Sequence, residues 1–288
     1  MITIQNQEIV STIAEKGAEL QSLRNKKTGI EHMWRGDAAY WGKYSPVLFP
    51  IVGTLKDDTY YHDGIAYTLP RHGFAREMTF DAQQPSETEA VFTLKDNEAT
   101  RAVYPFAFEF RLRYTLKEAS ITCTYEVLNP ADTDMLFSVG AHPAFAVPMT
   151  ADSRYEDYFL QFVETETLKR YKLENGLIGS QTEMVAAENG LLPLTPSLFY
   201  EDAIVLKNLQ SSCIVLASEA HHHGLHFCFG DFPFFGIWAA KDAPFLCLEP
   251  WCGIADNATH NQKLADKEGI INLAPNASWQ RSWSVGCF

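Results

Sequence analysis

Three short segments carry side chains able to move protons or grip a polar ligand. In Phe245-Leu246-Cys247-Leu248-Glu249-Pro250-Trp251, Glu249 closes an apolar strand. A carboxylate in that setting is costly unless it is paired or used. Burial also raises its pKa from ~4.3 toward the range of a general base. The competing reading is a structural glutamate bonded to loop amides. In Phe137-Ser138-Val139-Gly140-Ala141-His142-Pro143, the proline forces His142 into extended geometry, and Gly140 and Ala141 leave room for a ligand or for close backbone packing. A satisfied core histidine is the plainer alternative. In Leu69-Pro70-Arg71-His72-Gly73-Phe74-Ala75-Arg76, two arginines bracket a His-Gly turn, so that His72, Arg71 and Arg76 offer donors to hydroxyl groups or form a solvated surface turn. Trp238 and Trp251 flank the strand pair that carries Glu249. A flat indole face suits the C–H face of a sugar, although ordinary core packing explains either ring taken singly.

Four histidines in Ala220-His221-His222-His223-Gly224-Leu225-His226 raise the question of a metal. No Asp, Glu or Cys accompanies them at the spacing of a closed zinc site, so a polar hairpin loop is the better reading and no metal is expected. The chain has no GxGxxG, Walker loop, GxSxG or HExxH, and so gives no support to nucleotide, flavin or serine-hydrolase chemistry. The six cysteines form no CxxC pair and are expected to be buried free thiols.

The elements that must position these groups are strands. The dominant hydrophobic period is two, as in 8–14, 108–116, 120–128, 213–217, 224–228 and 278–285, with turn signals at Asn129-Pro130, Asn175-Gly176 and Asn189-Gly190. The stretch 60–67 reads as a hairpin with Asp63-Gly64 at its tip. Helical patterns are confined to a turn or two at 37–41, 98–103 and 196–200. With no strand–helix alternation, no linker and no repeat, residues 1–288 are expected to form one all-β domain of about twenty short strands in two packed antiparallel sheets, a large antiparallel β-sandwich.

Composition narrows the function. Across 288 residues the formal net charge is −13, which disfavours nucleic-acid and membrane-surface partners while leaving a locally basic pocket open. The N-terminus lacks the basic and apolar regions of a signal peptide and no run approaches a membrane span, so a cytoplasmic location is expected.

Together these segments resemble the aldose 1-epimerase (galactose mutarotase) family, in particular its LacX-like branch. The resemblance rests on Leu-Pro-x-His-Gly-Phe-Ala-Arg at 69–76, Gly-Ala-His-Pro-Ala-Phe at 140–145, Leu-Glu-Pro-Trp at 248–251 and Pro-Val-Leu-Phe-Pro-Ile-Val-Gly at 46–53, and it runs over essentially the whole chain. It implies the galactose mutarotase-like supersandwich, no cofactor, a free sugar as the small-molecule substrate and a monomer or homodimer. It also implies Glu249 as general base, His142 as general acid and His72 as a substrate-binding histidine. The sequence departs from the family at Thr54, where many relatives carry a sugar-binding arginine; either Arg71, Arg76 or Lys56 replaces it or the preferred sugar differs. Asp242 and Asp256 are candidates for a further acidic binding residue, by their position near Glu249.

Overall fold

The computed structural model of the chain describes residues 1–164 and 167–288. Among these it has 23 strands and only short helices. The strands build two large sheets. One has nine strands, in the spatial order Leu191–Pro193, Tyr158–Phe162, Cys213–Ser218, Leu225–Cys228, Ser278–Cys287, Ser120–Leu128, Glu109–Lys117, Glu89–Lys95 and Asp81–Ser86. The other runs Val139–Gly140, Phe245–Cys252, Phe234–Trp238, Ile204–Lys207, Lys169–Glu174 and Leu177–Met184, with Ala144–Ala146 also paired to Phe245–Cys252. Neighbouring strands pair antiparallel throughout both sheets.

The period of two in the sequence becomes strict alternation of burial. In Glu109–Lys117 and Ser120–Leu128 every second side chain is buried and those between are not. The buried set joins one large apolar cluster fed by both sheets. Aromatic contacts cross between the sheets: Phe227 of the nine-stranded sheet meets Phe145 at 5.8 Å and Phe235 at 6.0 Å between ring centroids. Strand Phe245–Cys252 departs from alternation because all eight of its residues are buried. Leu246 and Leu248 enter the main core, while Trp251 joins a smaller cluster with Val52, Ile178 and Val205 on the opposite side. That second covered face holds the candidate site.

The hairpin expected at 60–67 is present, with strands Thr59–His62 and Ile65–Thr68. The segment 98–103 is a single helix capped by Asn97, and 196–199 is a 3₁₀ turn. The segment 37–41 holds only turns. The histidine run forms the loop between Cys213–Ser218 and Leu225–Cys228, where His221 Nε2 lies 2.8 Å from the Tyr158 hydroxyl. The expectation of six free thiols is corrected. Cys213 and Cys228 face each other on adjacent strands, with Cα atoms 4.0 Å apart, and form a disulfide, whereas Cys123, Cys247, Cys252 and Cys287 are free and buried. The pairing escaped notice because partners 15 residues apart become opposite only through strand register. No helix among the described residues is long and apolar enough to cross a membrane.

His32 is fully buried, and neither ring nitrogen has a hydrogen-bond partner among the described residues. Burial pushes its pKa down to about 4. The folded state therefore keeps it neutral while the unfolded chain takes up a proton below about 6.5, so its effect on stability is absent at high pH and grows as pH falls from about 6.5 to about 4. Between pH 7 and pH 5 this costs roughly 2 kcal/mol. Thermal melts of wild type and His32→Leu at both pH values are expected to show a smaller acid-induced loss in the variant.

Candidate functional site

Glu249 projects from the middle of the second sheet. Its strand is held on one side by Phe234–Trp238, in a register that sets Glu249 opposite Gly236. On the other side, the Ala141 amide donates to the Pro250 carbonyl (3.0 Å) and the Leu248 amide to the Pro143 carbonyl (3.1 Å). These two bonds clamp the His142–Pro143 segment along the Glu249 strand and bring His142 Nε2 to 3.3 Å from Glu249 Oε2. The side chains are 11% and 3% exposed, so water screens the pair little. The room left by Gly140 is taken by protein: a Cβ there would lie 2.6 Å from the Trp251 ring, and one at Gly236 would overlap the same indole. Trp251 thus lies across two glycine backbones beside Glu249.

The imidazole of His142 is boxed by rings. Trp41 stacks on it at 4.9 Å between centroids and 27° between planes, and Trp238 stands edge-on at 5.6 Å and 88°. His72 approaches edge-on at 5.9 Å. His72 sits at φ 70°, in a turn where the Gly73 amide donates to the Pro70 carbonyl. Its own amide donates to the Gly53 carbonyl, and the Gly53 amide donates to His72 Nδ1 at 3.1 Å. Burial and then the Arg71 charge push its pKa well below 6.5, so the ring is neutral and has one accepting nitrogen. Arg71 Nε nevertheless lies 3.2 Å from His72 Nε2. With Nδ1 already accepting from a fixed backbone amide, two donors meet at Nε2. An acceptor brought between them, such as a hydroxyl oxygen, relieves that mismatch.

The Gly53 loop is itself anchored by a buried ion cluster. Asp256 pairs with Lys267 at 2.9 Å, both side chains being fully buried, and with His260 at 3.3 Å. Its amide donates to the Thr54 carbonyl, and its carboxylate accepts from the Lys56 amide. Asp256 is therefore a scaffold for the loop rather than a cavity-lining acid, and Asp242, which accepts from the Tyr200 hydroxyl, does not line the cavity either. Lys56 does not replace the family's arginine at Thr54, since its ammonium is turned to the His260 carbonyl.

Glu249, His142, His72, Arg71, Arg76, Trp238 and Trp251 all line one cavity of about 690 Å³, within the range that holds a small ligand. Sequence reasoning missed Trp41, Tyr200, Glu201 and Asp202 on its wall. Asp202 precedes strand Ile204–Lys207, whose register aligns Val205 with Gly236 and hence with Glu249, a proximity that no local motif reveals. The cavity is polarised: Arg71 and Arg76 contribute positive charge, Glu201 and Asp202 negative. Burial drives the Glu249 carboxyl well above its usual range; Arg71 opposes this, and the Asp202 charge adds to it. Burial, together with Arg71 and Arg76, pushes His142 down to about 3.

Residues 1–282 match the family model described as Aldose 1-epimerase. The chain belongs to the aldose 1-epimerase family. Among its family relatives, the chromosomal and plasmid LacX proteins of Lactococcus lactis subsp. lactis are each 33% identical over 99% of this chain and 98% of their own length. Among solved structures, a galactose mutarotase related enzyme from Lactobacillus acidophilus superposes with a TM-score of 0.95 at 34% identity, covering 100% of this chain and 97% of that one. A galactose mutarotase-like protein from Lactobacillus casei gives 0.93 at 33% identity, with both chains covered in full. The resemblance to the LacX-like branch and to the mutarotase-like fold is borne out for this family member.

Proposed function

We propose that the protein interconverts the α and β anomers of a free aldohexose by opening and reclosing its ring. The observation that carries this reading is the buried contact of Glu249 with His142, 3.3 Å apart, in a cavity walled by indoles. A base and an acid on opposite sides of the sugar ring would also serve the chemistry, but here the two groups lie side by side. That arrangement matches a hemiacetal, whose hydroxyl and ring oxygens are bonded to the same carbon. One group takes the anomeric hydroxyl proton while the other protonates the ring oxygen. The ring opens, the C1–C2 bond rotates, and closure on the other face returns both protons. Trp238 and Trp251 would hold the C–H faces of the sugar, with His72, Arg71 and Arg76 donating to its hydroxyls. Asp202 and Glu201 offer acceptors on the opposite wall.

The family pattern assigns the base to Glu249 and the acid to His142, which requires the proton on the imidazole. The surroundings favour the opposite resting placement, because burial disfavours both charges and the two arginines further oppose an imidazolium. The pair then rests as carboxyl and neutral imidazole. A single proton on the pair suffices for turnover, since the groups exchange roles between opening and closure. A second proton must go to His142, pushed to about 3. Loss of the single proton requires ionising a carboxyl held well above 4.5. The rate is therefore expected not to fall as pH drops from about 7 to about 5, measured by polarimetry with buffer catalysis subtracted. An acid limb centred near 6.5 would contradict this placement of the proton.

Two guanidinium groups in the cavity favour a second reading, the same chemistry on a phosphorylated hexose. Polarimetry of freshly dissolved α-D-glucose and α-D-galactose, beside the anomeric exchange rate of glucose 6-phosphate, separates the two. Faster turnover of the neutral sugars supports the first reading and faster turnover of the phosphate ester the second. Sugar binding with no rate enhancement would instead make the protein a carbohydrate-binding module.

A further inference from the structure

Cys247 has no part in the proposed chemistry, yet it lies two residues from Glu249 on one strand and therefore projects to the same side. One ring nitrogen of His142, the Cys247 Sγ and a Glu249 carboxylate oxygen lie within 4.8 Å of one another, and all three residues are buried. His142 Nε2 and Glu249 Oε2 are already 3.3 Å apart. A tetrahedral cation bound at 2.0–2.3 Å sets its donors roughly 3.3–3.7 Å apart. The triad therefore needs to close by about an ångström, within reach of side-chain rotation. A second observation points the same way: His142 Nδ1 is buried with no hydrogen-bond partner among the described residues, so the imidazole can turn without losing a bond at that atom.

We propose that His142, Cys247 and Glu249 form a binding site for a thiophilic divalent cation of the zinc, cadmium or cobalt class, with a cavity water as fourth ligand, and that occupancy silences the enzyme. The mixed nitrogen, sulfur and oxygen donor set suits borderline and soft cations over magnesium or calcium. On binding, the metal–sulfur bond replaces the S–H bond of Cys247, and the thiol proton leaves to solvent. The metal–oxygen bond replaces the O–H bond of the Glu249 carboxyl, whose proton also leaves to solvent. No change of oxidation state occurs. Both groups proposed to move protons become ligands, so inhibition is complete at saturation with the cation, and a sugar that needs the same two atoms competes with it. Because at least one proton is displaced, affinity rises at least about tenfold per pH unit. The silencing rests on the mutarotase reading; the binding does not.

Cobalt(II) titration of the wild-type protein tests the binding. The expected result is a near-ultraviolet thiolate-to-cobalt charge-transfer band, saturating at one equivalent and absent in both Cys247→Ala and Cys247→Val, the second of which keeps the core filled. Excess magnesium should leave the band unchanged. In parallel, zinc is expected to suppress wild-type mutarotation at concentrations at least tenfold below those needed for either variant, both variants retaining basal activity. No charge-transfer band, a band that survives loss of Cys247, or equal zinc sensitivity of wild type and variants overturns the site. A Cys247-dependent band in a protein with no mutarotase activity upholds the site and overturns the functional reading instead.

Discussion

Replacing Glu249 by Gln is expected to lower kcat about 10²–10⁴-fold, the usual contribution of one positioned acid or base. The amide fills the same volume on a fully buried strand, so packing is retained. The effect on stability has a definite sign. A carboxyl whose folded pKa lies well above 4.5 contributes no penalty below that value, and its cost grows as pH rises, because the unfolded chain ionises first. Glutamine does not titrate and escapes that cost. The variant should therefore melt no lower than wild type near pH 8 while turning over far more slowly. Steady-state polarimetry and a thermal melt on the same sample read both quantities. A variant that keeps near-full activity removes Glu249 from the chemistry.

Gly73→Ala is expected to have the largest structural effect. Gly73 lies at φ 70°, next to His72 at the same angle, in a turn laid against the Phe49 backbone. The Phe49 carbonyl accepts from the amides of both Phe74 and Ala75. A Cβ at position 73 would overlap that carbonyl oxygen and lie 2.8 Å from Pro50 Cδ. These are backbone and ring atoms with little freedom to yield. The strained φ and the clash together should cost about 3–5 kcal/mol, the upper range for a point substitution, or on the order of 10 °C in Tm. The displaced loop also carries His72 away from the Gly53 amide. KM is expected to rise about tenfold, equivalent to one lost hydrogen bond of ~1.4 kcal/mol, with a smaller change in kcat. A melt and a KM matching wild type would mean that the turn is not fixed by its contact with Phe49.

What the sequence disclosed and what it withheld follow from the range of the interactions. Strand periodicity is local, so Ser120–Leu128 and the hairpin around Asp63-Gly64 were legible. Glu249, His142 and His72 each sit in a distinctive local setting and could be singled out one by one; that they share a cavity depends on cross-strand pairing. Asp202 and Trp41 carry no local signature and reach the cavity only through register and loop packing. The Cys213–Cys228 pair and the burial of Asp256 beside Lys267 were hidden for the same reason. The pKa of His142 is likewise not readable from its segment, because the reference value of a histidine includes neither the burial around the ring nor the two arginines beside it.

The most direct test of the central claim reads anomer exchange itself. Glucose and galactose at anomeric equilibrium, with catalytic amounts of folded protein, can be followed by magnetisation transfer between their α and β anomeric protons. The predicted result is exchange that grows in proportion to enzyme concentration for at least one of these sugars and vanishes with Glu249→Gln. Exchange indistinguishable from the uncatalysed rate for both sugars, with protein that retains its native melt, would contradict the account.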